Sequence, residues 1–209
     1  LRQRGIERVC RAIELARPLG PDAYIVHVYL GDREHGRVPA NLPAWRRRAA
    51  QSLEAILAKG VPPADLCIET LDYDFSHIEP VVADLGLSVA IDLGHFQRDK
   101  RPERDLLLRN LYRTRVIQWH GVDPSGRDHR SLKYYPLESA RWVVDTLLAA
   151  SYRGVLTLEV FRETDFEESL AFVRERLIDR AEGAPARGPA LPGRDASVID
   201  RAEGAPARG

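Results

Sequence analysis

Residues 87–95 read Leu-Ser-Val-Ala-Ile-Asp-Leu-Gly-His. The opening run is apolar or small, with no alternation between oily and polar positions. That is how a short strand reads when both of its faces are covered. The run stops at a carboxylate, Asp92, and His95 follows three residues later across Gly94, which is expected to allow a tight turn. The same wording recurs along the chain. Residues 23–30 (AYIVHVYL) read as a strand carrying His27, and 65–69 (DLCIE) as one ending in Glu69. Residues 114–120 (TRVIQWH) read as one ending in His120, and 154–160 (GVLTLEV) as one carrying Glu159.

Helical periodicity separates these runs. Ile6, Val9 and Ile13 share one helical face before Pro18 and Gly20, and further helices are expected over 43–59, from a cap at Asp74 or Ser76 to Gly86, and over 102–112, 137–151 and 166–177. Strand and helix thus alternate at least five times, which predicts an α/β protein with a parallel sheet. Five strands are too few for a closed eight-stranded barrel of roughly 250 residues. Two architectures stay open: an open α/β sheet, or a (β/α) barrel without its first two or three units. Either one brings the C-terminal ends of its strands to one face, where chemistry is done.

The chain has 209 residues, with 31 Lys+Arg against 31 Asp+Glu. Zero net charge argues against a general nucleic-acid binder, and no apolar run reaches the roughly 18–20 residues of a membrane span. The expected partner is a small molecule. Cys10 and Cys67 sit inside apolar-patterned segments, which excludes a disulfide scaffold and makes a reducing cytoplasm the default. Cys67 lies two residues before Glu69, so it is expected to pack beneath the site. His35, His77 and the 45–48 run Trp-Arg-Arg-Arg read as surface features, with the indole partly packed. Residues 178–188 and 199–209 both read IDRAEGAPARG, and 179–209 hold five Gly and four Pro. The division expected is a catalytic domain over 1–177 and a disordered tail over 178–209.

The strand-end groups, with His95 and the loop pair Asp128/His129, form one donor set: His27, Glu69, Asp92, His95, His120, Asp128, His129 and Glu159. It contains only nitrogen and oxygen donors. That suits a divalent ion, Zn²⁺ or Mn²⁺ foremost, rather than a cysteine-held structural site. The tips of Glu69, Asp92, His120 and Glu159 are expected within ~6 Å of one another at metal–ligand distances of about 2.0–2.2 Å. Glu69 is expected to bridge two ions. Arg127, Arg130 and Lys133 flank the loop pair and are candidate phosphate-binding cations.

The motifs Cys-Ile-Glu69-Thr, Asp92-Leu-Gly-His95, Trp119-His120-Gly and Leu-Glu159-Val resemble the xylose-isomerase-like TIM-barrel superfamily of sugar isomerases, epimerases and endonuclease IV-type AP endonucleases. The resemblance implies a TIM-type (β/α) barrel, apparently without its first two or three units. It implies metal binding by Glu69, Asp92, His120 and Glu159, with Glu69, Glu159 and His120 as catalytic groups. In the endonuclease-like branch the DxGH histidine and a loop Asp/His pair bind a further ion, which implies His95, Asp128 and His129. That branch separates its loop Asp and His by one residue, whereas here they are adjacent. The wording of 87–95, of 126–132 and of 154–161 resembles the cobamide-remodelling phosphodiesterases. The function so implied is hydrolysis of the phosphodiester of a cobamide nucleotide loop. The alternatives are a metal-dependent sugar (phosphate) isomerase or epimerase, an AP endonuclease-like repair enzyme, and an inactive fragment.

Overall fold

The computed structural model describes residues 2–29 and 41–178. His35, the expected 31–39 loop and the 179–209 tail lie outside them. The strands are β1 (Tyr24–Val26), β2 (Leu66–Glu69), β3 (Ser88–Asp92), β4 (Thr114–Trp119) and β5 (Val155–Leu158). The helices are α1 (Arg2–Ala16), α2 (Leu42–Leu57), α3 (Glu79–Asp84), α4 (Leu93–Arg98), α5 (Arg104–Asn110), α6 (Leu137–Ala149) and α7 (Glu163–Phe172), the last running on into a π turn over Val173–Ile178.

Every strand pair is parallel, and the spatial order is β1-β2-β3-β4-β5. A doubly wound sheet reverses its strand order at a switch point. An order that runs straight through the sequence is that of a barrel, and the five strands with their helices form a half-barrel. β1 and β5 are its edges, with Ile25 40% and Leu156 44% exposed.

The period of two sorts each strand into an outer and an inner row. Leu66, Ile68, Val89, Ile91, Ile117 and Trp119 belong to the main core, together with Leu53 and Ile56 of α2 and Val143 of α6. Full burial of each such aliphatic side chain stabilises the fold by about 1.5–3 kcal/mol. Cys67, Ala90 and Val116 form a second, smaller cluster joined by Ala23 and Val155. These residues floor the inner face. Two residues further along come Glu69, Asp92 and Gln118, and four further along His120 and Glu159. Cys67 is therefore a packing residue beneath the site, and burial pushes its thiol pKa up to about 12.

Three local expectations are corrected. β1 is shorter than 23–30, ending at Val26. Residues 93–98 form a helix rather than a tight turn, because Asp92 accepts a hydrogen bond from the backbone N–H of His95 at 3.1 Å and so caps α4. Trp45 is buried, with its indole N–H donating to the Tyr29 carbonyl at 3.1 Å; its neighbour Arg46 reaches the Ser76 and His77 carbonyls instead of solvent. Among the described residues no helix is long and apolar enough to cross a membrane.

Candidate metal centre

Asp92, on the central strand, is the hub. It is fully buried, as is His120. His120 Nε2 lies 3.2 Å from Asp92 Oδ1, and His95 Nδ1 lies 3.3 Å from Asp92 Oδ2. Donor atoms of Asp92, His120 and Glu159 fall within 4.8 Å of one another, as do those of Glu69, Asp92 and His95, and those of His95, His120 and His129. The half-barrel thus draws its strand-end groups into one cluster, and Asp92 rather than Glu69 stands at its centre. Glu69 leans the other way: its Oε2 is 2.8 Å from His27 Nε2, while Oε1 is 3.8 Å from His95. In strand order β2 neighbours the edge strand, whereas β3, which carries Asp92, is third of five.

The cluster passes a test for fitness as a cation site. Asp92 Oδ2 and His120 Nε2 are buried and have no partner with hydrogen-bond geometry. Buried polar atoms are normally satisfied. Here a carboxylate oxygen and an imidazole nitrogen without one stand in the same cluster, with Glu159 and Glu69 adding charge. A divalent ion would supply the missing partner to both.

The electrostatics follow from burial and from crowding. Burial and then the neighbouring carboxylates of Asp92 and Glu69 push the Glu159 pKa up to about 7. Its Oε2 accepts a hydrogen bond from Gln118 Nε2 at 2.9 Å. Burial alone would raise Asp92, but the close approach of His120, with His95, outweighs it and holds its carboxyl below the usual range. Desolvation would lower His120, but the adjacent Asp92 carboxylate more than offsets it, and His120 is raised. His27 is raised chiefly by its hydrogen bond to Glu69. Burial, then repulsion from His120, lowers His129.

His120 is held by its surroundings as well as by charge. Its Nδ1 accepts from the His129 backbone N–H at 3.0 Å, and the two rings stack with centroids 4.2 Å apart. His129 in turn stacks on Phe161 at 4.4 Å and adopts φ 51°, a left-handed conformation. Gly94 matters here for space, not for turning. A Cβ at this position would overlap the His120 imidazole, so only glycine lets α4 approach the ring this closely.

The structure does not bring the other expected residues into the cluster. Asp128 Oδ2 pairs with Arg98 Nη1 at 2.9 Å, and Asp128 is in none of the donor groups found among the described residues. Arg127 pairs with Asp123 at 2.9 Å, Arg130 with Asp123 at 3.2 Å and Asp165 at 3.1 Å, and Lys133 with Glu168 at 2.6 Å. These carboxylates are distant in sequence or carry no signature, so the loop looked like open cationic sequence. Two residues missed by the sequence reading stand at the site. The Thr70 hydroxyl oxygen accepts from the Asp92 N–H at 2.9 Å, and its carbonyl lies 3.2 Å from His95 Nδ1. Gln118 meets Glu159. Both lie in the strand-end segments, and period-two counting would have found Gln118. Beside the cluster a cleft of about 600 Å³ is lined by His27, Tyr29, Leu71, Asp72, His95, Arg98 and Asp99.

A parallel half-barrel with its polar groups at the strand ends defines the class, and the family follows. The profile described as xylose isomerase-like TIM barrel matches residues 1–176, and the chain belongs to that family. No curated protein sequence matches it. Among solved structures, a D-allulose 3-epimerase from Methylomonas sp. aligns with a TM-score of 0.60 at 14% identity, over 83% of this chain and 69% of its own. A 3-keto-D-glucoside 4-epimerase from E. coli aligns with a TM-score of 0.56 at 15% identity, over 81% and 70%. An L-ribulose 3-epimerase aligns with a TM-score of 0.55 at 19% identity, over 81% and 59%. At these identities the likeness is one of fold, and the chain spans 59–70% of the length of these three structures.

Proposed function

We propose that the chain carries the metal-binding part of a sugar isomerase or epimerase. The observation that supports this best is the arrangement of two carboxylates, Glu69 on β2 and Glu159 after β5, on either side of the buried Asp92–His120 pair. Glu69, Asp92, His120 and Glu159 would hold one divalent ion. When bound, that ion polarises the carbonyl and hydroxyl oxygens of a sugar. Glu159, on the far side of the centre from Glu69, would take or return a proton at the carbon beside the carbonyl. Glu69 does the same on the opposite side, with its second partner His27 steadying it. Asp92 and His120 orient the centre.

The test is solvent exchange. With Mn²⁺, the protein in D₂O should place deuterium on the carbon next to the carbonyl of one or more of a panel of ketoses, read by NMR. Glu159→Gln and Glu69→Gln should each slow this at least ~100-fold, since loss of an inner ligand costs no less than loss of an outer one. Exchange at wild-type rate in either variant contradicts the reading.

Phosphodiester hydrolysis, the activity of the cobamide-type resemblance, has one observation in its favour: the three imidazoles of His95, His120 and His129 offer room for a further ion, and paired ions suit in-line attack on phosphorus. A phosphate would, however, have to displace Asp123, Asp165 or Glu168 from Arg127, Arg130 and Lys133. Cleavage of a cobamide or of a bis-aryl phosphate, without deuterium exchange into any sugar, would favour this second reading.

A further inference from the structure

Arg98 is the half-buried cation on the wall of the cleft. Its Nε and Nη2 grip both oxygens of Asp99, at 2.8 and 3.2 Å, and its Nη1 reaches Asp128 at 2.9 Å. Asp99 is held from the other side by Arg101, which also donates to the carbonyls of Leu71 and Tyr73 after β2. The guanidinium therefore presents both edges to carboxylates and keeps no fork for a substrate anion. What it does join is two segments that each bring an imidazole to the centre. Arg98 sits in α4, one turn after His95; Asp128 precedes His129 in the loop after β4.

That loop bears on His120 directly. His129 gives His120 a backbone hydrogen bond and a stacked ring, and does so from a left-handed backbone conformation, uncommon among non-glycine residues. The near end of the loop is fixed by the Gly121–Arg130 bridge. The Arg98–Asp128 pair ties its outer side to α4.

We infer that Arg98 is a positioning residue: by clamping Asp128 it sets His129 against His120 and so orients the imidazole that would ligate the ion. The inference rests on the isomerase reading only in supposing that an ion binds there. Groups that orient ligands from outside the coordination sphere typically change metal affinity 10–100-fold when removed.

The experiment uses the full chain and the variants Arg98→Gln, Asp128→Asn and the double substitution, each labelled with ¹⁵N-histidine. Long-range imidazole correlation spectra of the metal-free proteins come first. Arg98→Gln should move the ring resonances of His129 and His120 and leave those of His77 in place. Mn²⁺ titration comes second. Each single variant should bind about 10–100-fold more weakly than wild type, and the double variant no more weakly than the poorer single one, as groups acting through one contact behave. Should Arg98→Gln fail to fold, Asp128→Asn, which keeps the Arg98–Asp99 pair, carries both measurements. A wild-type imidazole spectrum in the variants, or losses that multiply in the double variant, would overturn the inference. Failure of the wild-type protein to bind Mn²⁺ would instead overturn the proposed function, and the metal-free spectra would still judge Arg98.

Discussion

Gly94→Ala is the sharpest perturbation of the centre, because it adds one carbon where there is no room. A Cβ at Gly94 would overlap the His120 ring, whose atoms are its nearest neighbours. Carbon pairs settle at about 3.5–4.0 Å, so ring and helix would have to separate by more than about an ångström. The ring has little freedom to retreat, being fully buried with His129 stacked on it at 4.2 Å. Overpacking of this kind costs about 1–3 kcal/mol. It works against the gain of up to about 1 kcal/mol that Gly→Ala brings within a helix. A net loss of about 1–2 kcal/mol is expected, or about 2–8 °C in Tm for a domain of this size. Mn²⁺ binding should fall with it, by at least about 10-fold, because the displaced group is a proposed ligand. Gly5→Ala is the control: it lies in α1 with nothing within 4 Å of an added Cβ, and should stabilise slightly. Thermal denaturation and calorimetric Mn²⁺ titration of the two variants settle the matter. Gly94→Ala with wild-type Tm and wild-type Mn²⁺ affinity would refute the packing argument and the assignment of His120 with it.

The metal-free protein should lose stability as pH rises from about 5 to 8. Glu159 has a folded pKa of about 7, raised from an ordinary value of 4.5, so its contribution is complete below the unfolded value and fades as pH climbs through the folded one. His27 and His120, both raised, fade in the same direction above their unfolded value near 6.5. Glu159→Gln should flatten the lower part of that slope in a Tm-against-pH series, and a Tm that climbs over this range would contradict the electrostatic description. Arg130→Gln should destabilise the protein, by about 1–3 kcal/mol, because Asp165 is left with the Ser131 N–H alone while Asp123 still holds Arg127. A variant that keeps its Tm and loses only substrate affinity would return Arg130 to the role of a phosphate-binding cation.

How far the chain could be read without coordinates depended on the range of the interaction involved. Glu69, Asp92, His120 and Glu159 were legible because continuous apolar runs mark strands, and parallel strands deliver their C-terminal residues to one face. Cys67 was legible for the same reason, two residues below Glu69. The straight strand order, which separates a half-barrel from a doubly wound sheet, left no mark in the local pattern. The partners of Arg98, Arg130 and Lys133 were invisible because Asp128, Asp165 and Glu168 lie 30–35 residues away. Gly94 was read as a turn-maker since its sequence neighbours permit one; what demands glycine is the His120 ring, 26 positions on. Trp45 looked half-solvated beside three arginines, but its acceptor is the Tyr29 carbonyl, 16 residues back.

The most direct test of the centre is calorimetric titration of chelator-stripped protein with Mn²⁺, wild type against Asp92→Asn. Asp92 is the hub of the proposed site, is fully buried, and has one oxygen with no hydrogen-bond partner. The wild-type protein is predicted to bind at least one ion per chain and to gain thermal stability as it does, and Asp92→Asn to fold yet lose that binding. Wild-type protein that neither takes up Mn²⁺ nor is stabilised by it, or an Asp92→Asn variant that binds as the wild type does, would contradict the assignment of this cluster as a metal centre.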